Sequence, residues 1–270
     1  MNRGRDLARE IENARVSPGA VAFWWLGQMG YAVRTERRTL LFDPYLAPNP
    51  ARTVPPLLTP EDIRSADWVF GSHDHSDHID PVTFSGIASA SPKARFVCSR
   101  VAAPSVRGLG VPDERIVALD EGLVHEEDGL RICAVAAAHE FLDRDDALGY
   151  PYLSYIVEVD GVTLYHSGDT CCYEGLLTKL KRWRYDLFCV CINGRDAQRY
   201  AHNCIGNMTY QEAVDLAGAL RPRLTVPGHY EMFASNSEDP SLFTAYLEAK
   251  YPGLAAWVGP HGQRVDLSAR

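Results

Sequence analysis

Six consecutive residues constrain this chain more than any other feature. They are His73-Asp74-His75-Ser76-Asp77-His78, set just after the short apolar run Trp68–Gly71 and Ser72. Three imidazoles and two carboxylates in one strand-to-helix turn are hard to explain as structure alone. A solvated turn would draw on Ser, Gly, Lys or Glu. Imidazole nitrogen and carboxylate oxygen are donors that suit zinc, manganese and iron. The fold must therefore bring further donors to the place where this turn ends.

Three candidates stand at equivalent points. His139, Asp169 and His229 each lie just beyond a run read as a strand: Leu130–Ala138, Val162–His166 and Leu224–Pro227. Residues past the C-terminal ends of strands converge on one rim in layered α/β folds, where sites are built. Each of the three would be weak evidence alone. The remaining pattern predicts a helix over Arg5–Ala14, strands at Val21–Leu26, Tyr31–Thr35 and Thr39–Asp43, and a Pro-rich loop from Pro44 to Pro60. A helix should start at Thr59-Pro60. Further strands are expected at Arg95–Cys98, Arg115–Ala118, Leu153–Val159 and Asp186–Ile192, with Asp160-Gly161 as a hairpin turn. Thr209 and Glu212 form a capping box, Asp239-Pro240 opens another helix, and Trp257–Val258 begins a last strand. No linker or repeat interrupts this, so residues 1–270 are expected to form a single domain.

Bulk properties narrow the function. The chain has 270 residues, 46% of them apolar, which suffices for a large core. Its formal net charge of −8 disfavours a polyanionic partner, so no nucleic acid is expected. Seven cysteines without a C-x-x-C pair argue against a disulfide framework and for a reducing, cytoplasmic setting. Met1–Ala14 lacks an apolar signal core, and no run approaches a membrane span, so no membrane partner is expected.

Taken in order behind H-x-H-x-D-H, His139, Asp169 and His229 complete a pattern that resembles the metallo-β-lactamase superfamily, from Trp25 to the end of the chain. That resemblance implies an α+β fold, a four-layer αββα sandwich. It also implies two divalent metal ions, manganese or zinc. His73, His75 and His139 would hold one, Asp77, His78 and His229 the other, and Asp169 would bridge them. Asp43 matches a buried aspartate that supports a ligand histidine from behind; read alone, it could simply cap its strand. Water activated by such a centre needs no Ser or Cys nucleophile. Within the superfamily, Trp24-Trp25-Leu26-Gly27, Tyr165–Asp169, Ile192–Asp196, Gly206–Thr209 and Asn236–Pro240 resemble the L-ascorbate-6-phosphate lactonase-like branch. That implies a lactonase opening a sugar-derived, even phosphorylated, lactone, and a homo-oligomer. The chain departs from that branch by being shorter at both ends and in the Pro44–Pro60 region.

Catalytic candidates are Asp77, Asp43, Asn207 and Arg195. Asp77 could both ligate metal and anchor the attacking water. Arg195 could clamp a carboxylate or phosphate, or pair with Asp196 in a turn. Asn207 could donate to a substrate carbonyl, or fix its loop. His166, His202 and Tyr230 carry weaker claims. Trp24-Trp25 reads as core, and His125 and His261 as incidental. A phosphodiesterase or nuclease on the same scaffold would want a basic channel, which the charge does not suggest. A non-catalytic regulatory protein would tend to lose ligands, and none is missing here.

Overall fold

Most strands of this chain are buried on both faces, so the sequence alternation that usually orients a strand is faint. In the first strand all seven residues are buried. Phe23 and Trp25 belong to the cluster shared with the second sheet, whereas Ala22, Trp24 and Leu26 pack with Leu7 and Ile11 of the first helix. A sheet covered on both sides is the signature of layers.

The computed structural model describes residues 2–270. The chain opens with α1 (Arg5–Glu12), β1 (Val21–Gly27), β2 (Gly30–Arg34) and β3 (Thr39–Phe42). It continues with β4 (Trp68–Phe70), α2 (Pro81–Ala90), β5 (Arg95–Ser99), α3 (Ala103–Gly108) and β6 (Ile116–Leu119). Next come β7 (Val124–Glu127), β8 (Leu130–Ala136), β9 (Leu153–Val159), β10 (Val162–His166), α4 (Leu176–Leu180) and β11 (Leu187–Cys191). The chain ends with α5 (Ala197–Ala201), α6 (Tyr210–Leu220), β12 (Leu224–Gly228), α7 (Pro240–Lys250) and β13 (Arg264–Leu267).

Two sheets result, in the orders β13-β1-β2-β3-β4-β5-β6 and β12-β11-β10-β9-β8-β7. Neighbours joined by hairpins are antiparallel, as is β13 against β1, whereas β3-β4-β5-β6 and β10-β11-β12 run parallel through longer crossovers. The sheets face each other across Trp25, Tyr31, Phe42, Phe70, Tyr155 and Ile132. Helices α1, α2 and α3 cover the first sheet through Leu7, Phe84, Ile87 and Val106, and α4, α6 and α7 cover the second through Leu180, Val214 and Phe243. The architecture is the expected αββα sandwich.

Some expectations need correction. The Thr59 capping box exists, but it starts a single 3-10 turn, Pro60–Asp62, not a helix. Ile63 is already extended, and Asp67 is needed five residues after Asp62 to receive the Thr39 N–H and open β4. The last strand is not at Trp257–Val258. Ala256 makes one bridge to Thr225, Pro260 has no N–H to continue a ladder, and β13 forms later against β1. The β7 edge strand, Val-His-Glu-Glu, was not anticipated, because half-exposed polar residues carry no strand signal.

Gly228 shows how tightly the sheets close beneath the strand ends. A Cβ there would lie 2.6 Å from the Tyr31 hydroxyl, 2.8 Å from Met29 Sδ and 3.0 Å from the Gln28 carbonyl. Gly228→Ala should therefore cost about 2 kcal/mol through overpacking, lowering Tm by roughly 4–8 °C. Scanning calorimetry of both proteins in the same metal state checks this; an unchanged Tm would refute the packing argument.

Candidate metal centre

All four expected strand ends deliver their residues to one place. β4 passes through Gly71-Ser72 into His73, β8 through Ala137-Ala138 into His139, β10 through Ser167-Gly168 into Asp169, and β12 directly into His229. After His73 the backbone curls: the N–H groups of His78 and Ile79 both donate to the His75 carbonyl, at 3.0 and 2.9 Å. Asp80 then caps α2 by accepting from Thr83 N–H at 2.8 Å. This curl turns His73, His75, Asp77 and His78 toward the other strand ends. Gly168 is required where β10 ends. Its φ is +56°, and a Cβ would meet that of Ser72 at 2.6 Å. His229 itself adopts φ +61° and Asp43 φ +39°. Side chains held in the left-handed region mark places where the surroundings over-determine the backbone.

Donor atoms fall into three overlapping groups, each within 4.8 Å: His73, His75 and His139; His73, His78 and Asp169; Asp77, His78 and His229. His73 Nε2 lies 2.9 Å from His75 Nδ1. Asp169 stands between the sets. One oxygen is 3.5 Å from His78 Nε2. The other is 3.1 Å from His229 Nε2 and 3.7 Å from His139 Nε2. Asp77 Oδ2 is 3.7 Å from His78 Nε2 and 3.8 Å from His229 Nε2.

His78 Nε2 and Asp169 Oδ1 are buried and make no hydrogen bond among the described residues. Such groups are costly unless something else satisfies them. A divalent cation would do so, and the N/O donor set fits one.

Electrostatics divide the donors: the carboxylates are held ionised and raise the imidazoles of His78 and His229, while those of His73 and His139 are lowered. Burial pushes the Asp169 carboxyl up, yet His229 and His78 hold it well below the usual carboxylate range. Asp77 is lowered in the same way, against its burial, by His78 and His229. Burial works to lower His78, but Asp169, Asp77 and Asp43 raise it well above an ordinary imidazole. On the other side, burial and the neighbouring His78 depress His73, and burial depresses His139. Neutral imidazole is the form that ligates a metal.

Behind the donors, Asp43 is fully buried and accepts three hydrogen bonds: from Ser72 N–H at 2.7 Å, Ser72 Oγ at 2.6 Å and His78 Nδ1 at 2.6 Å. This fixes the His78 ring with Nε2 facing the centre, the arrangement typical of a supported ligand. Gln28 was not singled out from the sequence. Its amide donates to Asp77 Oδ2 at 3.0 Å, while its carbonyl receives the His229 N–H at 2.9 Å. A lone glutamine after a glycine carries no signal; only the fold reveals it. Tyr152 was also missed. Its ring packs edge-on to His73 and His139, with centroids 5.4 and 5.3 Å away.

The substrate candidates come out differently. Arg195 does not pair with Asp196. It makes a two-pronged contact with Glu212, at 2.6 and 2.7 Å, and donates to the Asn207 carbonyl at 2.9 Å. It is thus committed to holding its own loop, which corrects the expectation of a free anion clamp. Asp196 caps α5 and pairs with Arg199. Asn207 donates to Asn193 Oδ1 at 3.1 Å and so fixes the loop; its own Oδ1 is buried without a partner among the described residues. His166 faces Met29 O at 2.8 Å, away from the donors. His202 is exposed and contacts Gln198 O. Trp24 and Trp25 are core, with Trp25 stacked on His261 at 3.9 Å and beside Tyr230 at 4.4 Å.

Comparison with known proteins bears on the family and the fold. A model of the beta-lactamase superfamily domain matches residues 38–230. A probable L-ascorbate-6-phosphate lactonase of Escherichia fergusonii is 26% identical, over 92% of this chain and 80% of that protein. Among solved structures, Igni18, a metallo hydrolase from Ignicoccus hospitalis, has a TM-score of 0.73 at 23% identity, covering 93% of this chain and all of that one. An isothiocyanate hydrolase from Delia radicum gut bacteria has a TM-score of 0.71 at 19% identity, covering 92% and 100%.

Two substitutions probe the supporting residues. Asp43→Asn should weaken metal affinity about 10–100-fold, the usual cost of losing such a partner, as read by competition with a chromophoric chelator. Gln28→Ala should leave the fold intact by circular dichroism and lower kcat more than it raises KM. Unchanged metal affinity in the first, or unchanged kcat in the second, would remove these residues from the site.

Proposed function

The chain belongs to the β-lactamase superfamily and is a metal-dependent hydrolase, and from that premise we propose that it opens a lactone ring with two divalent cations, manganese or zinc. The Escherichia relatives carry a lactonase name, and a sugar-derived lactone is the class this suggests. Residues 1–270 act as one hydrolase domain in this reading. A cytoplasmic location accords with the seven unpaired cysteines. Among the described residues, no helix is long and apolar enough to cross a membrane.

His73, His75 and His139 would hold one cation, Asp77, His78 and His229 the other, with Asp169 between. The observation that carries this reading is the position of Asp169, its two oxygens directed at the histidines of both sets. Bound there, the cations supply a water of lowered pKa and polarise a carbonyl oxygen. The protein's own contribution is position and proton handling. Asp77 is partly open, its side chain 23% exposed, whereas His78, His229 and Asp169 are almost wholly enclosed. A carboxylate on the open side, steadied by Gln28, can receive the proton of an attacking water. Asp43 and Ser72 hold His78 in place behind it. Neither step calls on a Ser or Cys nucleophile, and the buried thiols Cys98, Cys189 and Cys191 are pushed up by burial into an unreactive range.

Protein purified without added metal should carry close to two transition-metal ions per chain. Chelation should abolish lactone opening, followed by proton release, and Mn²⁺ or Zn²⁺ should restore it. Asp77→Asn should lower kcat by about 10²-fold with little change in Tm of the metal-loaded form. Full activity in metal-stripped protein would defeat the mechanism. Cleavage of bis(p-nitrophenyl) phosphate without any lactone turnover would move the chain to the phosphodiesterases.

A further inference from the structure

Beside the centre, on the His139 side, the protein is apolar and acidic where a phosphorylated substrate would need cations. Phe141 pairs with His139 in an isolated bridge and is 68% exposed. Tyr200 donates from its hydroxyl to Glu140 at 2.6 Å, and Gly206 O lies 3.3 Å from His139 Nδ1. Tyr200 and Ile205, which precedes Gly206, are exposed, as is Leu142 next to Phe141. Phe141 thus stands two residues from the proposed ligand His139, Ile205 one residue from the carbonyl beside it, and Tyr200 against its neighbour Glu140. A single exposed apolar group needs no explanation, but several exposed on the two segments that meet at one proposed ligand do.

The charges around this edge point the same way. The segment 140–146 carries Glu140, Asp143, Asp145 and Asp146 against a single Arg144, a formal balance of −3. Arg195 is taken up by Glu212 and the Asn207 carbonyl. Arg199 is taken up by Asp196, Glu238 and the Ser237 carbonyl. Arg52, in the opposite loop, donates to the carbonyls of Tyr45, Ala47 and Val54. Among the described residues neither Arg52 nor Arg144 is tied to a carboxylate: one terminal nitrogen of Arg52 is buried without a partner, and Arg144 lies over the Tyr150 ring among the loop's acids. A phosphoryl group carries nearly two negative charges and is bound by free guanidinium, ammonium or backbone N–H groups.

We propose that the part of the substrate beyond the scissile carbonyl is uncharged and apolar, an alkyl or aryl substituent seated against Phe141, Leu142, Tyr200 and Ile205, and not a sugar phosphate. This rests on the lactone reading for the reacting group and adds the class of the rest of the molecule. It departs from the substrate in the names of the Escherichia relatives. It also explains the commitment of Arg195 to Glu212: the loop is fixed from within, leaving its apolar residues to face the substrate.

Two series of probes test it on the metal-loaded full chain. The first is γ-lactones of increasing alkyl length, set against a phosphorylated sugar lactone and read as kcat/KM. The second is alkyl hydroxamates of the same lengths, read as Kd by calorimetry; the hydroxamate addresses the centre and the tail addresses the edge, whatever the reaction. Both should improve with chain length, by about fourfold for each methylene covered, the equivalent of about 0.8 kcal/mol. Phe141→Ser should flatten both dependences and Phe141→Leu should keep them. The phosphorylated lactone should be the poorest substrate. A flat hydroxamate series, or a preference for the phosphorylated lactone, overturns the inference. A rising hydroxamate series without lactone turnover supports it and overturns only the lactone reading.

Discussion

The Asp43 carboxylate holds this molecule's functional end together. It is buried at the end of β3 and receives the backbone and hydroxyl of Ser72 together with the His78 ring. A buried carboxylate without partners would be costly; with three short hydrogen bonds it becomes a fixed point. Through Ser72 it sets where β4 leaves the first sheet, and through His78 it sets the plane of a donor whose other nitrogen faces the centre. The second sheet is registered against the same point, because Gly168 sits on Ser72 and the Leu153 N–H donates to the Ser72 carbonyl. The layers and the site are therefore two consequences of one arrangement.

Much of this was legible in the sequence, for identifiable reasons. The H-x-H-x-D-H segment is dense enough in donors to declare itself, and His139, Asp169 and His229 could be found because each follows a strand. Strand ends were readable where Gly and Asp interrupt apolar runs. Other features had no such signal. Gln28 and Tyr152 reach the donors only through tertiary packing. The partner of Arg195 is Glu212, seventeen residues away in the chain, while the sequence offered its neighbour Asp196. The Thr59 turn obeys local capping rules but is overridden by the need to deliver Asp67 and β4 to the sheet. The β13 strand is recognisable only once β1 presents an edge for it.

The site also shows a division of labour between enclosed and open groups. His78, His229, Asp169 and Asp43 are sealed from solvent and set by hydrogen bonds and charge. His75 and Asp77 stand on the open side, where a substrate would arrive. The surrounding loops are held internally, through Arg195 with Glu212, Arg199 with Asp196, and Arg52 with its own carbonyls. Their cations serve the architecture. In the proposed reading the centre supplies the chemistry and the apolar edge the selectivity.

The claim most central to this account is that Asp169 lies between two cation positions. Crystals of the protein loaded with manganese or zinc, measured on both sides of the metal's absorption edge, test it directly. The account predicts two anomalous peaks, one within bonding distance of His73, His75 and His139 and one of Asp77, His78 and His229, with an Asp169 oxygen at each or shared between them. A single peak, or peaks that leave Asp169 uncoordinated, would contradict it.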